Sequence, residues 1–237
     1  MRLDKFLGNA GVGSRSQVKI LCKKGVVSVN GVIVKNSDYS VNEEQDDIVV
    51  QGKRISVQKG KYLMLYKPAG VVSATQDNKD KTVIDCIPPE LRKSIFPVGR
   101  LDKDTTGLLL LTDDGTLAHN LLSPKKHVEK EYLVTCREGV TSEQIEMLEK
   151  GVDIGEEALT LPAKVFQTKE DNVIRLVIVE GKFHQVKRMM KSVGNEVIAL
   201  KRLRMGTLLL DESLESGAFR ELTETEICDL MESDALK

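Results

Sequence analysis

Apolar positions in the first 35 residues recur at helical spacing and then alternate. Leu3, Phe6 and Leu7 give one face of a short helix, and Ser14 with Gln17 forms a capping box ahead of Val18, Leu21 and Cys22, predicting a second helix that Gly25 stops. Val27 and Val29 before Asn30-Gly31, and Val32 and Val34 after it, predict a β-hairpin on a two-residue turn. Gln51 to Lys61 is polar, contains glycine and lacks periodic apolar residues, so it reads as a short linker able to let a small domain pivot. The implied domains are 1–58 and 59–237.

From Tyr62 the pattern turns mainly β. Tyr62–Tyr66 predicts a strand, Lys67-Pro68-Ala69-Gly70 a loop and Val71–Ser73 another strand, while Leu108–Leu111 fits a strand buried on both faces and turned by Asp113-Asp114-Gly115. A helix is expected over Ser142–Lys150, capped by Thr141, stopped by Gly151 and facing inward with Ile145 and Leu148. Val173–Val179 predicts a second buried strand. Phe183, Val186, Met189, Met190 and Val193 then recur at helical spacing up to Gly194, and a last helix starts at the box Thr223 to Glu226 and buries Ile227, Leu230 and Met231. The fold class is α+β around a mixed, largely antiparallel sheet.

The chain of 237 residues has a net charge of -1, unevenly distributed. Residues 1–35 carry seven cations against Asp4, residues 182–204 carry seven against Glu196, and Asp211–Asp234 holds nine acids against Arg220. Two local basic clusters are what contact with a phosphate backbone requires, since local potential governs affinity more than total charge. No apolar stretch is long enough to span a bilayer, and Met1–Lys5 lacks the apolar core of a signal peptide, so a cytoplasmic protein without a membrane partner is expected. Cys22, Cys86, Cys136 and Cys228 lack the spacing of a zinc site or a disulfide scaffold. His119, His127 and His184 are scattered and read as structural or surface residues.

The most patterned stretch is Gly99-Arg100-Leu101-Asp102-Lys103-Asp104-Thr105-Thr106-Gly107-Leu108, an Arg-Leu-Asp triplet leading into the buried strand. A lone carboxylate there is a candidate nucleophile or acid/base. With Lys67-Pro68-x-Gly70, Lys130-Glu131-Tyr132, the run Glu180-Gly181-Lys182-Phe183-His184-Gln185-Val186-Lys187-Arg188-Met189-Met190 and Leu203–Leu210, it resembles the active-site motifs of the pseudouridine synthases that begin with an S4 domain, most closely the branch acting on small-subunit ribosomal RNA. The start Arg2–Leu7, the Ser14-Arg15-Ser16 entry to the second helix and the Val-x-Val-Asn-Gly hairpin resemble the S4 domain, a small RNA-binding module built on an αα-hairpin.

That resemblance implies an RNA-modifying isomerase. The bond from ribose to N1 of uracil breaks, the base turns, and C5 joins the same ribose carbon, so neither cofactor nor metal is implied. Asp102 would be the essential carboxylate, as nucleophile or as base. Lys187 would be the cation that keeps it ionised, with Arg188 as the competing position; on the predicted helix Lys187 and Lys191 share a face that Arg188 lacks, so the two cations should have different partners. Tyr132 would stack on the target uracil, and Arg100 would hold phosphate or fill the space of the flipped base, its plain structural role being an ion pair with Asp104. Arg15, Lys19 and Lys23 or Lys24 would present charge to structured RNA, and Arg188 is a further expected RNA contact. The expected partner is 16S ribosomal RNA, as such or in a small-subunit assembly intermediate, and the expected state a monomer. The alternatives are a paralogue acting on 23S RNA, a non-catalytic S4-type assembly factor, and a hydrolase using the same Asp; the last lacks a second carboxylate or His at suitable spacing.

Overall fold

The helical spacing at the start of the chain becomes α1 (Leu3–Asn9) and α2 (Arg15–Lys23), the second with the Ser14/Gln17 capping box in place. They belong to the first of two units, Met1–Lys59 and Gly60–Lys237, in a computed structural model that describes residues 1–43, 45–55 and 60–233. In this unit β1 (Val27–Val29), β2 (Val32–Ile33), β3 (Ile48–Val50) and β4 (Lys53–Ile55) form an antiparallel sheet in the order β2-β1-β3-β4. Asn30 and Gly31 turn the first hairpin at φ 51° and 79°, the left-handed pair that makes Asn-Gly the favoured sequence there. Leu3, Phe6, Leu7, Val18, Cys22, Val27 and Ile48 close the core between helices and sheet.

Part of the expected linker is structured. Gln51 and Gly52, at φ 51° and 77°, turn a second two-residue hairpin in which Val50 pairs with Lys53, so Gln51–Ile55 is sheet of the first unit. Lys61 belongs to the second unit, where its amide donates to Asp113 Oδ1 at 2.8 Å. Residues 56–59 of that expectation lie outside the described residues.

The second unit comprises β5 (Tyr62–Lys67), β6 (Phe96–Pro97), β7 (Thr106–Thr112), α3 (Gly115–Leu122), β8 (Lys130–Cys136), α4 (Ser142–Lys150), β9 (Lys164–Gln167), β10 (Val173–Ile178), α5 (Gln185–Ser192), β11 (Val197–Met205), β12 (Leu208–Leu209), β13 (Phe219–Glu221) and α6 (Glu224–Glu232). Its nine-stranded sheet runs β13-β5-β7-β11-β8-β10-β9, with β12 on β11 and β6 on β7. It is mixed and mostly antiparallel, β7 and β11 being the parallel pair among the described residues. Leu109 and Leu111 of β7 face one core with Leu148 of α4 and Val186, Met189 and Met190 of α5; Leu108 and Leu110 face the other with Leu117 and Leu121 of α3 and Leu230 of α6. A strand covered on both sides has no polar face to show, which is why β7 reads as a continuous apolar run.

Gly107 is required by the close approach of β11. It sits at φ 101°, and a Cβ there would lie 2.2 Å from the Arg202 carbonyl oxygen. Several local expectations differ from the structure. Val71–Ser73 is an irregular segment with a single bridge from Val72 to Thr82, because the Ser73 hydroxyl and the neighbouring backbone are engaged by another loop. Asp113-Asp114-Gly115 opens a helix, Asp114 capping α3 by accepting from the amides of Thr116 and Leu117. Phe183 precedes α5 and is 68% exposed, and Met231 on α6 is exposed while Leu230 takes the core position.

Candidate active site

Asp102 lies on the loop between β6 and β7, held mostly by main chain. The Thr105 amide donates to the Asp102 carbonyl at 3.1 Å and the Gly70 amide to that of Lys103 at 2.8 Å. The Ser73 hydroxyl donates to the Leu101 carbonyl at 2.9 Å and accepts from the Leu101 amide at 3.0 Å. Lys67, fully buried at the end of β5, turns its ammonium onto three carbonyls, Thr105 at 2.8 Å, Pro68 at 3.0 Å and Lys103 at 3.3 Å. Burial pulls its pKa down to about 8, against the opposing pull of Asp104 and Asp102. The Lys67–Ser73 segment is thus a brace for the Asp102 loop. The sequence marks Lys67-Pro68-x-Gly70 as a motif, but neither the brace nor Ser73 can be read from spacing, since their partners lie about 30 residues away.

Lys187 on the first turn of α5 reaches that loop. Its Nζ is 3.0 Å from Asp102 Oδ2 and 2.6 Å from Asp104 Oδ1. Burial acts to lower the Lys187 pKa, but the hydrogen bonds and charges of Asp104 and Asp102 together outweigh it and hold it above its ordinary value. Lys187 in turn holds the Asp104 carboxyl below the usual range. The ion pair considered for Arg100 and Asp104 therefore does not form. Arg100 is exposed at the rim of the cleft, and Asp104 belongs to Lys187.

Arg188, one position on, points elsewhere. Its guanidinium pairs with Glu156 at 2.7 Å and donates to the carbonyls of Ile154 and of Phe183, the latter at 3.1 Å. The two cations have the different partners that their helical positions required. Upstream, buried Gln185 accepts from the Lys182 amide at 2.8 Å and donates to Glu180 at 2.7 Å, which fixes the turn into α5.

Tyr132 of β8 is 7% exposed and lines a small pocket with Asp102, Lys187, Arg100 and Leu200. A larger adjoining cavity of about 710 Å3 is lined by Arg100, Asp102, Lys130, Lys182, His184 and Arg202, among others. His184 reads from the sequence as structural or surface, yet its Nε2 lies 3.5 Å from Asp102 Oδ1. It caps α5 in a left-handed conformation, φ 49° and ψ 34°, and its ring stacks on Phe183 with centroids 3.8 Å apart. Its place beside Gln185 and Lys187 in one motif is the signal that points to it. Arg15, Lys19 and Lys23 on α2 and Lys24 at its C-cap are all exposed in the first unit, without an ion pair to a described residue.

A half-buried carboxylate held by a lysine, beside a recessed tyrosine and under a rim of cations, defines an enzyme site fitted to a planar group carried by a polyanion. The comparisons with known proteins agree. A family model for RNA pseudouridylate synthase matches residues 61–192, and one for the S4 domain matches residues 1–48. An uncharacterized RNA pseudouridine synthase of Bacillus subtilis, YtzG, is 49% identical across 99% of this chain and 100% of its own length. Ribosomal small subunit pseudouridine synthase A of Escherichia coli K12 is 40% identical across 98% of this chain and all of its own. A solved pseudouridylate synthase superposes with a TM-score of 0.70 at 40% identity, covering 97% of this chain and 99% of that one. The chain belongs to the RNA pseudouridylate synthase family, in the branch that carries an S4 domain at its N-terminus. It is an isomerase that acts on uridine in RNA.

Proposed function

We propose that the protein converts a specific uridine of 16S ribosomal RNA to pseudouridine, with Asp102 as the essential carboxylate, Lys187 as its counter-ion and Tyr132 as the stacking partner of the base. The observation that carries this reading is the 3.0 Å ion pair between Lys187 and Asp102 at the mouth of the pocket that Tyr132 lines. The Lys187 ammonium is the counter-ion of the Asp102 carboxylate, which is placed to attack the ribose or remove its proton. Arg100 at the rim suits a phosphate of the flipped nucleotide, and the exposed cations of α2 suit a structured RNA backbone.

The choice of 16S RNA is supported by the full-length similarity to enzymes named for the small ribosomal subunit. The test incubates the protein with unmodified 16S and 23S RNA and with partly assembled small-subunit particles, then maps pseudouridine by carbodiimide labelling and primer extension. One new site confined to 16S RNA is expected, and its preference for free RNA or for the particle identifies the working substrate. A site confined to 23S RNA would overturn the substrate assignment and leave the chemistry standing.

A further inference from the structure

Two buried cations that line the cleft form no ion pair with a described residue. Lys130 is 9% exposed and Arg202 is 2% exposed, and both line the cavity that holds Asp102. The Lys130 ammonium donates to the Val128 carbonyl at 2.8 Å, Arg202 Nε donates to the Leu108 carbonyl at 2.8 Å, and Arg202 Nη2 is buried without a partner among the described residues. Neither forms an ion pair with any described residue, in a unit where Lys187, Arg188, Arg204 and Arg220 all do. Burying cations this way is costly. Lys130 relieves part of the cost by titrating, since burial, with Arg202 adding, pulls its pKa down to about 8. Arg202 has no such outlet, because a guanidinium keeps its proton.

Their placement narrows what completes them. Lys130 and Tyr132 stand two residues apart on the same side of β8, and Arg202 of β11 is the direct register partner of Tyr132. A base stacked on Tyr132 would thus lie on the sheet face that carries both cations, and the pocket of Tyr132 and the cavity of the two cations meet at Asp102. Exposed cations suited to phosphate stand apart from them at the rim, Arg100 without an ion pair to a described residue and Lys103 paired with Asp80 at 2.6 Å.

We propose that Lys130 and Arg202 form an anion site for the uracil itself and take the negative charge that gathers on its carbonyl oxygens when the bond to ribose breaks. In that step the electron pair of the N1–C1′ bond stays on the base, shared among N1, O2 and O4. The ribose is completed by a bond from Asp102 to C1′ or by loss of the neighbouring C2′ proton to Asp102. When C5 gives its electron pair to C1′, Asp102 departs as carboxylate or returns that proton, and the net change in the base is one proton moved from C5 to N1. A cationic site matched to the transient anion lowers the barrier, because the neutral substrate gains much less from it. The inference rests on Tyr132 as the stacking residue and is independent of which RNA is modified.

Single-turnover rates and RNA binding of the full-length protein and of Lys130→Met test it, with 16S and 23S transcripts run in parallel. Lys130→Met is expected to lower the rate constant at saturating RNA about a hundred-fold with RNA Kd within about two-fold, and Lys130→Arg to restore most of it. A weaker Kd with an unchanged saturated rate would make Lys130 a phosphate contact and overturn the proposal. Titration with free pyrimidines separates this outcome from a wrong RNA assignment. Barbiturate, a planar anion at neutral pH, should bind the wild type at least about ten-fold more tightly than uracil, lose that preference in Lys130→Met, and resist competition by inorganic phosphate. Equal affinity for the two pyrimidines, or displacement of barbiturate by phosphate, would also overturn it. Arg202→Gln, checked for an unchanged fold by circular dichroism, should lose the same preference.

Discussion

The cations of α2 and those of the Asp102 cleft are the same residue types put to opposite uses. Arg15, Lys19 and Lys23 stand exposed along one side of a nine-residue helix whose buried stripe is Val18 and Cys22, and no described carboxylate forms an ion pair with them. Around the cleft, Lys67 is spread over three carbonyls beneath the Asp102 loop and Lys187 sits between two carboxylates, while Arg188, turned away from it, closes on Glu156. Exposed cations act through a summed, salt-screened potential, so one can stand in for another. Half-buried cations act through a particular partner at a particular distance, so none can. The contrast predicts that substitutions on α2 change how tightly RNA is held, while those in the cleft change what happens to it.

Lys187→Met should give the largest departure, because it removes the lysine that ion-pairs with Asp102. The single-turnover rate is expected to fall about a hundred- to a thousand-fold with little change in RNA Kd, and Lys187→Arg should recover a large part. A loss of binding with the rate intact would erase the contrast between the two regions.

Lys67→Met should act on rate and stability together. It strips the carbonyls of Thr105, Lys103 and Pro68 of a shared donor, and leaving such groups unpaired costs about 2 kcal/mol, readable from urea denaturation. Activity should drop about ten-fold through a looser Asp102 loop, with binding retained.

Lys19→Ala with Lys23→Ala should leave the saturated rate unchanged and weaken RNA binding several-fold. The slope of log Kd against log salt should fall by roughly 0.7 to 0.9 for each RNA phosphate that no longer meets a lysine.

The smallest effect concerns a paired cation remote in sequence from the cleft motifs. Arg220 bridges Asp211 and Glu226 at 2.6 and 2.7 Å. The Arg220 hydrogen bond, against the opposing pull of burial, holds the Glu226 carboxyl at about 2, and bonds from Ser213 and Arg220 hold Asp211 at about 2. Both values lie below those of the unfolded chain, so this stability is present above about pH 4.5 and is lost as pH falls towards 2. Thermal melts should show Arg220→Met slightly less stable than wild type at pH 6 and the difference closing by pH 2; a gap that widens in acid would contradict the assignment.

What was legible in the sequence follows from the range of the interactions. The capping boxes at Ser14 and Thr223, the Thr141 cap, the Asn30-Gly31 turn and the apolar run of β7 are set by neighbours within a few residues, and all stand where the pattern placed them. The Gln51-Gly52 hairpin escapes notice because its short, mostly polar strand β4 looks like a linker until β3 pairs with it. Phe183 fits a helical period, yet the backbone reverses at His184 and leaves the ring outside the helix. In the site, Asp102 and Lys187 are marked by their motifs. The contact of His184 with Asp102, the Lys67 brace and the meeting of Lys130 and Arg202 in one cavity, without an ion pair to a described residue, arise from chain segments dozens of residues apart, which no local pattern reports.

The most direct measurement is pseudouridine formation by Asp102→Asn, quantified beside wild type on the same RNA with RNA binding measured on both proteins. Asn keeps the size and a hydrogen-bonding oxygen but removes the charge that Lys187 holds. The variant is expected to bind RNA as tightly as wild type and to form no detectable pseudouridine. Pseudouridine formed at a rate within about ten-fold of wild type would contradict it, and would move the chemistry to another group of the cleft.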